Sequence, residues 1–436
     1  MVETAINPQN YTAVFQELEH YRRQHQRLQL LFNITRNITR ELTIDRLLLR
    51  IMDEVKNVLT CDRCSVFILD RDSNELWSQV AHGESEIRFP SHLGIAGHVA
   101  ATGEILNIPD VYADPRFNPN IDKKTGYVTR NMLTTPMRNK MGEIIGVFQA
   151  LNKVGGPFTK DDEALLDAIG AISAAQIENA SLYEEQKKTF NSFIETLAST
   201  IDARDPTTAG HSKRIALYAD EIARIVALDD QEREVLRTAA LLHDYGKIAV
   251  REAVLTKKGR LTPKEFAHIQ SHPEFTRTIL EKINFSRHLR QVPEIASSHH
   301  EKMDGSGYPR GLKGEEIPEL SRILAVCDVF DALTSRRPYR DRMNMVEVLR
   351  ILDDGAGKSF DARYVTALKK MKLNRLLLIL EDENLIKLQN SDLLFFSRYT
   401  LIDLISCLQA QPRDERRRRL AELFDHYYSR RYLETC

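Results

Sequence analysis

Seven residues of types that bind metal ions, His211, His243, Asp244, His272, His299, His300 and Asp328, fall within one segment of the chain. Four of them form adjacent pairs, His243-Asp244 in A-A-L-L-H-D-Y-G-K and His299-His300 in H-H-E-K-M-D-G-S-G-Y-P. Imidazole and carboxylate donors together suit transition metals such as Fe, Mn, Ni, Co or Zn, whereas an all-oxygen set favours Mg or Ca. A binuclear centre that hydrolyses phosphodiesters needs cations about 3.5–4 Å apart, a bridging carboxylate and neutral imidazoles. The segment supplies each kind of donor, and the absence of cysteine among them argues against structural zinc.

The elements that must position these groups are legible nearby. His243 and Asp244 close an apolar helix, V-L-R-T-A-A-L-L, and neighbouring helical residues point about 100° apart, so each can face a different cation. Lys247 lies one turn on, within reach of a leaving oxygen or a phosphate. A lone His-Asp pair is more often a capped helix end; the other five residues change that reading. His268 and His272 have i, i+4 spacing on the helix begun at Thr262, but only His272 precedes a proline, and His268 is read as an ordinary helix residue. His299-His300 follows V-P-E-I-A-S-S and leads into D-G-S-G-Y-P-R-G-L-K-G. The glycines of that loop allow a tight fold that can bring backbone amides to an anion. Asp328 stands in I-L-A-V-C-D-V-F, where a carboxylate is costly to bury without a cation. Asp331, one turn later, is read as a supporting carboxylate.

With 436 residues, the chain is long enough for two or three domains with separate cores. A net charge of -1 argues against a nucleic acid polymer as partner. Cys61 and Cys64 form a lone C-x-x-C, read as ordinary buried thiols. No stretch reaches the length of a membrane span and the N-terminus lacks a signal-peptide pattern, so a cytoplasmic protein is expected. Residues 11–58 are glycine-free and helical in character. The runs S-V-F-I-L-D, E-L-W-S-Q-V-A and E-I-I-G-V-F-Q-A-L-N read as strands. A helix capped at Thr159, with Asp162 three residues on, should run from about Asp161 to Thr200. Further caps are expected at Asp229 with Glu232 and at Thr262 with Pro263 and Glu265. The expected fold is therefore multidomain: an N-terminal α+β domain with an antiparallel sheet, joined by a long helix to an all-α domain. The four arginines from Arg416 to Arg419 are read as a solvated helix face.

The segment from about Ser199 to Met371 closely resembles the HD-GYP family of metal-dependent phosphohydrolases. The resemblance rests on R-D-P-T-T-A-G-H, A-A-L-L-H-D-Y-G-K-I, K-K-G-R-L-T-P-K-E-F, H-H-E-K-M-D-G-S-G-Y-P-R-G-L-K-G-E-E-I-P and R-I-L-A-V-C-D-V-F-D-A-L-T-S-R-R-P-Y-R, in order. It implies a phosphodiesterase that opens cyclic di-GMP, or a related cyclic dinucleotide such as cyclic GMP-AMP, to pGpG and/or GMP. It places the metal ligands on the seven residues above. Asp244 would bridge two ions and help hold the attacking hydroxide, Lys247 would stand beside the scissile phosphate, and Arg337 and Arg340 would contact substrate phosphates. Thr207 stands where a trinuclear subset carries glutamate, so two divalent ions, Fe or Mn first and Ni, Co or Zn next, are expected. Asp202 stands where glutamate is common, and Tyr245 and Cys327 also depart from the usual pattern.

Residues from about Arg27 to Tyr183 resemble a GAF domain. The resemblance is carried by G-I-A-G-H-V-A-A-T-G-E-I-L-N-I-P-D and by Asn152, Lys153, Phe158, Asp162 and Glu163, the N-K-x(n)-F-x(3)-D-E signature of GAF domains that often bind cyclic nucleotides. A Lys153 to Asp162 ion pair tying strand to helix competes with direct ligand contact as its explanation. The expected organisation is an N-terminal helix (1–26), a GAF sensory domain (27–183), a linker helix (184–198), an HD-GYP catalytic domain (199–371) and a helical extension (372–436). A homodimer is expected, with cyclic nucleotide at the GAF domain and diguanylate cyclase (GGDEF) domains as further candidate partners. Two other readings compete: a receptor or interaction protein without turnover, and a phosphohydrolase of another nucleotide. The extension is expected to pack on the catalytic domain or to form a dimer contact.

Overall fold

The glycine-free N-terminal stretch forms α1 (Pro8–Ile38) and α2 (Ile44–Leu59). Helical spacing of apolar residues gives α2 one face, Leu47, Leu48, Ile51, Met52, Val55 and Leu59, and all six are buried. The computed structural model describes residues 8–39, 43–78, 87–204, 210–257, 259–336, 341–381, 388–409 and 414–429. The chain divides into two units, Met1–Thr189 and Phe190–Cys436.

In the first unit β1 (Cys61–Asp70), β2 (Glu75–Ser78), β3 (Ile87–Pro90), β4 (Leu106–Ile108), β5 (Met132–Arg138) and β6 (Ile144–Lys153) form a sheet of order β3-β2-β1-β6-β5-β4. All its pairings are antiparallel. Three strands were expected from the sequence; β3, β4 and β5 add to them. β5 contains Pro136, which argues against a strand by local rules. Its position resolves the conflict: β4 pairs only with Met132 to Thr134, so at Pro136 the strand has a free edge where no amide is needed. One face of the sheet packs Val66, Leu133, Met137, Phe148 and Ala150 against α1, α2 and α5 (Lys160–Arg204). The other buries Phe67, Leu76 and Val147 against Ala96 and Val99 of α3 (Gly94–Thr102). α4 (Pro119–Thr125) lies between β4 and β5 in the chain. Thr159 caps α5 through the Asp162 amide as expected, and the helix continues past Thr200 to Arg204.

The second unit is helical. It contains α6 (His211–Ile225), α7 (Asp230–Leu242), α8 (Glu252–Leu255), α9 (Pro263–Ile269), α10 (His272–Leu280), α11 (Val292–Ser297), α12 (Glu319–Thr334), α13 (Met345–Gly355) and α14 (Ala362–Lys369). After Met371 follow α15 (Leu373–Glu381), α16 (Asn390–Phe396), α17 (Leu401–Gln409) and α18 (Glu415–Tyr428). Both bonds of the expected capping boxes are present, Asp229 with Glu232 and Thr262 with Glu265. One expectation is corrected: His268 and His272 do not share a helix, because α9 ends at Ile269 and a new helix, α10, starts at His272 with Pro273 in its first turn. The four successive arginines lie in α18 and are exposed.

The helices after Met371 belong to the same apolar cluster as those before it. Leu373, Leu376, Leu377, Leu380, Phe396, Leu401, Leu404, Leu420 and Phe424 join Tyr218, Leu236, Phe330 and Leu349 in one core. Polar ties reinforce the join: Arg375 pairs with Glu221 of α6 at 2.9 Å, and the Tyr428 hydroxyl donates to the Met343 carbonyl at 2.7 Å. Among the described residues no helix is long and apolar enough to cross a membrane.

Phe396 is fully buried in this core, so Phe396→Ala should destabilise the second unit by about 3–5 kcal/mol. A chain truncated after Met371 should fail to give a soluble, cooperatively unfolding protein. Urea denaturation followed by circular dichroism checks both; an unchanged midpoint in either protein would separate the extension from the core.

Candidate metal centre

Three histidines reach the centre by the same local device. His243 follows α7, His272 follows α9 and His299 follows α11, and each Nδ1 lies against the carbonyl oxygen three residues back: Ala240 at 2.7 Å, Ile269 at 2.7 Å and Ala296 at 2.6 Å. Carbonyls in a last helical turn lack intrahelical partners, and a carbonyl only accepts, so Nδ1 carries the proton. Each Nε2 is then a bare lone pair. All three Nε2 atoms are buried without a hydrogen-bond partner in the protein, an arrangement that costs free energy unless something else binds them.

These lone pairs converge on the Asp244 carboxylate. Its Oδ1 lies 3.1 Å from His272 Nε2 and 3.9 Å from His299 Nε2. Its Oδ2 lies 3.4 Å from His243 Nε2, 3.8 Å from His211 Nε2 and 2.6 Å from Lys247 Nζ. Asp328, on α12, stands opposite, with Oδ1 3.3 Å from His211 Nε2 and Oδ2 3.8 Å from His300 Nδ1. The seven residues expected from the sequence therefore come together as two groups, Asp244 with His272, His299 and His300, and His211 with His243 and Asp328. Within each group the ligand atoms lie within 4.8 Å of one another. Buried imidazole lone pairs and carboxylates are a donor set that fits divalent transition metal ions.

The electrostatics agree with that fit. Burial, reinforced by the neighbouring His300, holds His299 well below the ordinary imidazole value, and burial pushes His300 down to about 4. Both are thus neutral and able to donate lone pairs. Burial disfavours a charged His211 as well, but hydrogen bonds with Asp328 and Asp331 outweigh it and push it up to about 10. Its positive charge balances the carboxylates; a bound cation would supply that charge and leave the imidazole neutral. Burial raises Asp244 and Asp328, yet Lys247 beside Asp244, and His211 beside Asp328, hold both below the usual carboxylate range.

Other residues orient the donors. His211 Nδ1 lies 2.7 Å from Asp331 Oδ2, and Asp331 is gripped by both Nε and Nη2 of buried Arg214 at 2.7 and 3.0 Å. Asp331 has the supporting place read from the sequence, whereas Arg214 had no signal beyond its helical spacing from His211. Thr276 of α10 donates to the His243 carbonyl and accepts from Gly246 N, fixing the turn after Asp244. Gly246 is required by close approach: an added Cβ would lie 2.0 Å from the His272 carbonyl oxygen. In the D-G-S-G-Y-P loop, Gly307 also passes close to the backbone, where an added Cβ would lie 2.4 Å from Lys302 N, and the Tyr308 ring lies tilted against His300 with centroids 4.7 Å apart. The amides of Arg310 and Leu312 in that loop donate to Glu301. The anion this part of the loop serves is therefore a side chain of the protein itself. His268 lies outside both groups and accepts from Arg251 N. Arg337, Arg340 and Thr207 lie outside the described residues.

The signature residues of the first unit are engaged in structural bonds. Asn152 accepts from Arg130 N and donates to the Tyr127 hydroxyl and the Val128 carbonyl, tying β6 to the approach to β5. Lys153 Nζ lies 2.6 Å from Asp162 Oδ1, while Asp162 Oδ2 accepts from the amide and hydroxyl of Thr159. Glu163 accepts from Asn107, and Phe158 is buried beside Lys153. The ion pair joins strand to helix as the structural reading supposed.

Gly246→Ala should displace the turn between Asp244 and Lys247, costing about 1–3 kcal/mol and lowering bound metal well below the wild-type content. Elemental analysis of the purified protein reads this directly; an undiminished metal content would show that the turn has room to spare. For the first unit, burial opposes ionisation of Asp162, but Lys153 and Thr159 outweigh it and lower its pKa. A lowered pKa stabilises the fold above the unfolded carboxylate value, and this is lost as pH falls through the folded value. Lys153→Met should therefore lower the urea midpoint at pH 7, with the gap to wild type closing below about pH 4. Fluorescence of Trp77, the chain's only tryptophan, reports this unit; a gap independent of pH would count against the ion pair.

Comparison with known proteins finds a match within each unit. The HD domain model matches residues 195–364 and the GAF domain model residues 43–177. A 3'3'-cGAMP-specific phosphodiesterase of Vibrio cholerae is 42% identical over 41% of this chain and 38% of its own length. The cyclic di-GMP phosphodiesterase response regulator RpfG of Xanthomonas campestris pv. campestris is 39% identical over 45% of this chain and 52% of its own, and the cyclic di-GMP phosphodiesterase of Thermotoga maritima 38% identical over 41% and 48%. The chain thus spans about half, or less, of the length of these curated relatives. Among solved structures, the GAF domain of a phosphoenolpyruvate-protein phosphotransferase from Coxiella burnetii is 21% identical, with a TM-score of 0.34 over 36% of this chain and 96% of that one. Residues 195–364 thus form an HD domain and residues 43–177 a GAF domain.

Proposed function

We propose that the protein is a metal-dependent phosphodiesterase that opens cyclic di-GMP to pGpG and/or GMP, under control of a ligand bound by its GAF domain. The observation that carries this reading is the set of three buried Nε2 lone pairs aimed at one carboxylate, completed by His211, His300 and Asp328. His211, His243, Asp244, His272, His299, His300 and Asp328 would hold two divalent ions, Fe or Mn first, with Asp244 shared between them. When bound, such ions polarise phosphoryl oxygens and activate water near neutral pH.

The chain's own residues supply the rest. Lys247, whose Nζ lies 2.6 Å from Asp244 Oδ2, would donate a proton to the leaving oxygen. Arg337 and Arg340 would clamp the substrate phosphates through their guanidinium forks. Tyr308, its ring against that of His300, would lie beside the bound substrate. The complete donor set with Lys247 favours turnover over a receptor without activity. Because the GAF signature residues are committed to structural bonds, a cyclic nucleotide there would be read by other side chains. A homodimer and docking of a diguanylate cyclase domain are parts of the same proposal.

A second substrate, cyclic GMP-AMP, is favoured by the relative at 42% identity, whose name specifies 3'3'-cGAMP. Metal-loaded protein incubated with a panel of cyclic dinucleotides and mononucleotides should cleave cyclic di-GMP, cyclic GMP-AMP or both. Asp244→Ala should lose at least about a thousandfold in rate, the scale expected when a centre loses its shared ligand. Absence of turnover by the wild type would overturn the reading, and turnover surviving Asp244→Ala would move the site elsewhere.

A further inference from the structure

We infer that Arg204, the last residue of α5, is a positioning residue for Lys247. The inference rests on the proposed role of Lys247 in phosphodiester cleavage. Lys247 lies in the 3-10 turn Tyr245–Ala249 that follows Asp244. Its side chain is long, and a fixed Nζ position requires a fixed backbone, because ordering such a chain is entropically costly. Arg204 provides the anchor from outside the turn. Its guanidinium donates to three carbonyls of this stretch, Lys247 at 3.4 Å, Ile248, and Val250 at 2.9 Å. A planar fork with several donors suits three diverging carbonyls in a way an ammonium does not.

The same helical turn holds the other side of the centre. Asp202, buried two residues earlier in α5, accepts from the hydroxyl and the amide of Ser212 at 2.9 and 3.3 Å. Ser212 follows His211 at the start of α6, and the residue at the N-cap position, Gly210, has no side chain to serve there. The end of α5 thus touches the chain beside His211 and beside Lys247. Displacement of that end would reach both.

The alternative is that Arg204 only stabilises the loop, and a double-mutant cycle separates the two. In the full-length protein, Arg204→Gln should lower kcat for the cleaved cyclic dinucleotide by about ten- to a hundredfold, with KM and metal content unchanged. Arg204→Lys should recover part of the loss. In a Lys247→Met background Arg204→Gln should cost less than about twofold, since residues acting through one group are not additive. Equal losses in both backgrounds, or metal content falling in step with kcat, would overturn the inference. A readout independent of turnover keeps it distinct from the functional proposal: acetylation of Lys247, measured by peptide mass spectrometry against the other lysines, should change several-fold in Arg204→Gln. Unchanged labelling overturns the positioning role even if no substrate is cleaved, whereas changed labelling without turnover by wild type would sink only the functional proposal.

Discussion

The second unit is organised around one costly act, the burial of the Asp244 carboxylate among four imidazoles, His211, His243, His272 and His299. With bare imidazole lone pairs facing it, an ionised carboxylate survives there only beside positive charge, here Lys247 and any metal ion the centre would hold. Here each oxygen looks to a different set of partners, Oδ1 to His272 and His299, and Oδ2 to His211, His243 and Lys247. Asp328 repeats the pattern from the opposite side, between His211 and His300. Two carboxylates that each span both groups make the centre a single unit, which no one helix could assemble.

Helix ends are the means of assembly. A carbonyl left over in the last turn of α7, α9 or α11 receives the Nδ1 proton of the histidine that follows. A local accounting problem of the backbone thereby sets the tautomer of a donor atom. Small residues permit the close packing this needs. Gly246 allows the turn after Asp244 to press against the start of α10, and Gly307 allows the loop to bring Tyr308 onto His300. The apolar core extending through α15 to α18 holds these ends in register. The extension is thus part of the frame on which the centre is built.

The first unit shows the reverse relation between motif and chemistry. Its signature residues carry charge and hydrogen-bonding groups, yet the bonds they make are with one another and with neighbouring backbone. Lys153 and Asp162 join the end of β6 to the start of α5, and Asn152 fixes the approach to β5. A motif of polar residues can be a joint as readily as a binding site, and only the partners of each atom distinguish the two.

Much of this was legible in the sequence because it obeys local rules. The capping boxes at Asp229 and Thr262, the apolar face of α2 and the kinds of donor atom all follow from residues a few positions apart. The seven centre residues could be singled out because so many metal-binding types fall in one segment, and the resemblance then placed them all as ligands; taken singly, each had an ordinary alternative. What the tertiary structure decided are pairings across long stretches of chain: Asp331 with His211 and Arg214, Arg204 with the turn at Lys247, Tyr308 with His300. Pro136 became acceptable in a strand only because β4 stops short of it. The break between His268 and His272, which spacing had placed on one helix, likewise brings His272 to Asp244 and leaves His268 outside. Local patterns fix what a segment can form and which atoms it offers; burial, and the need to satisfy every buried charge, fix which of those atoms meet.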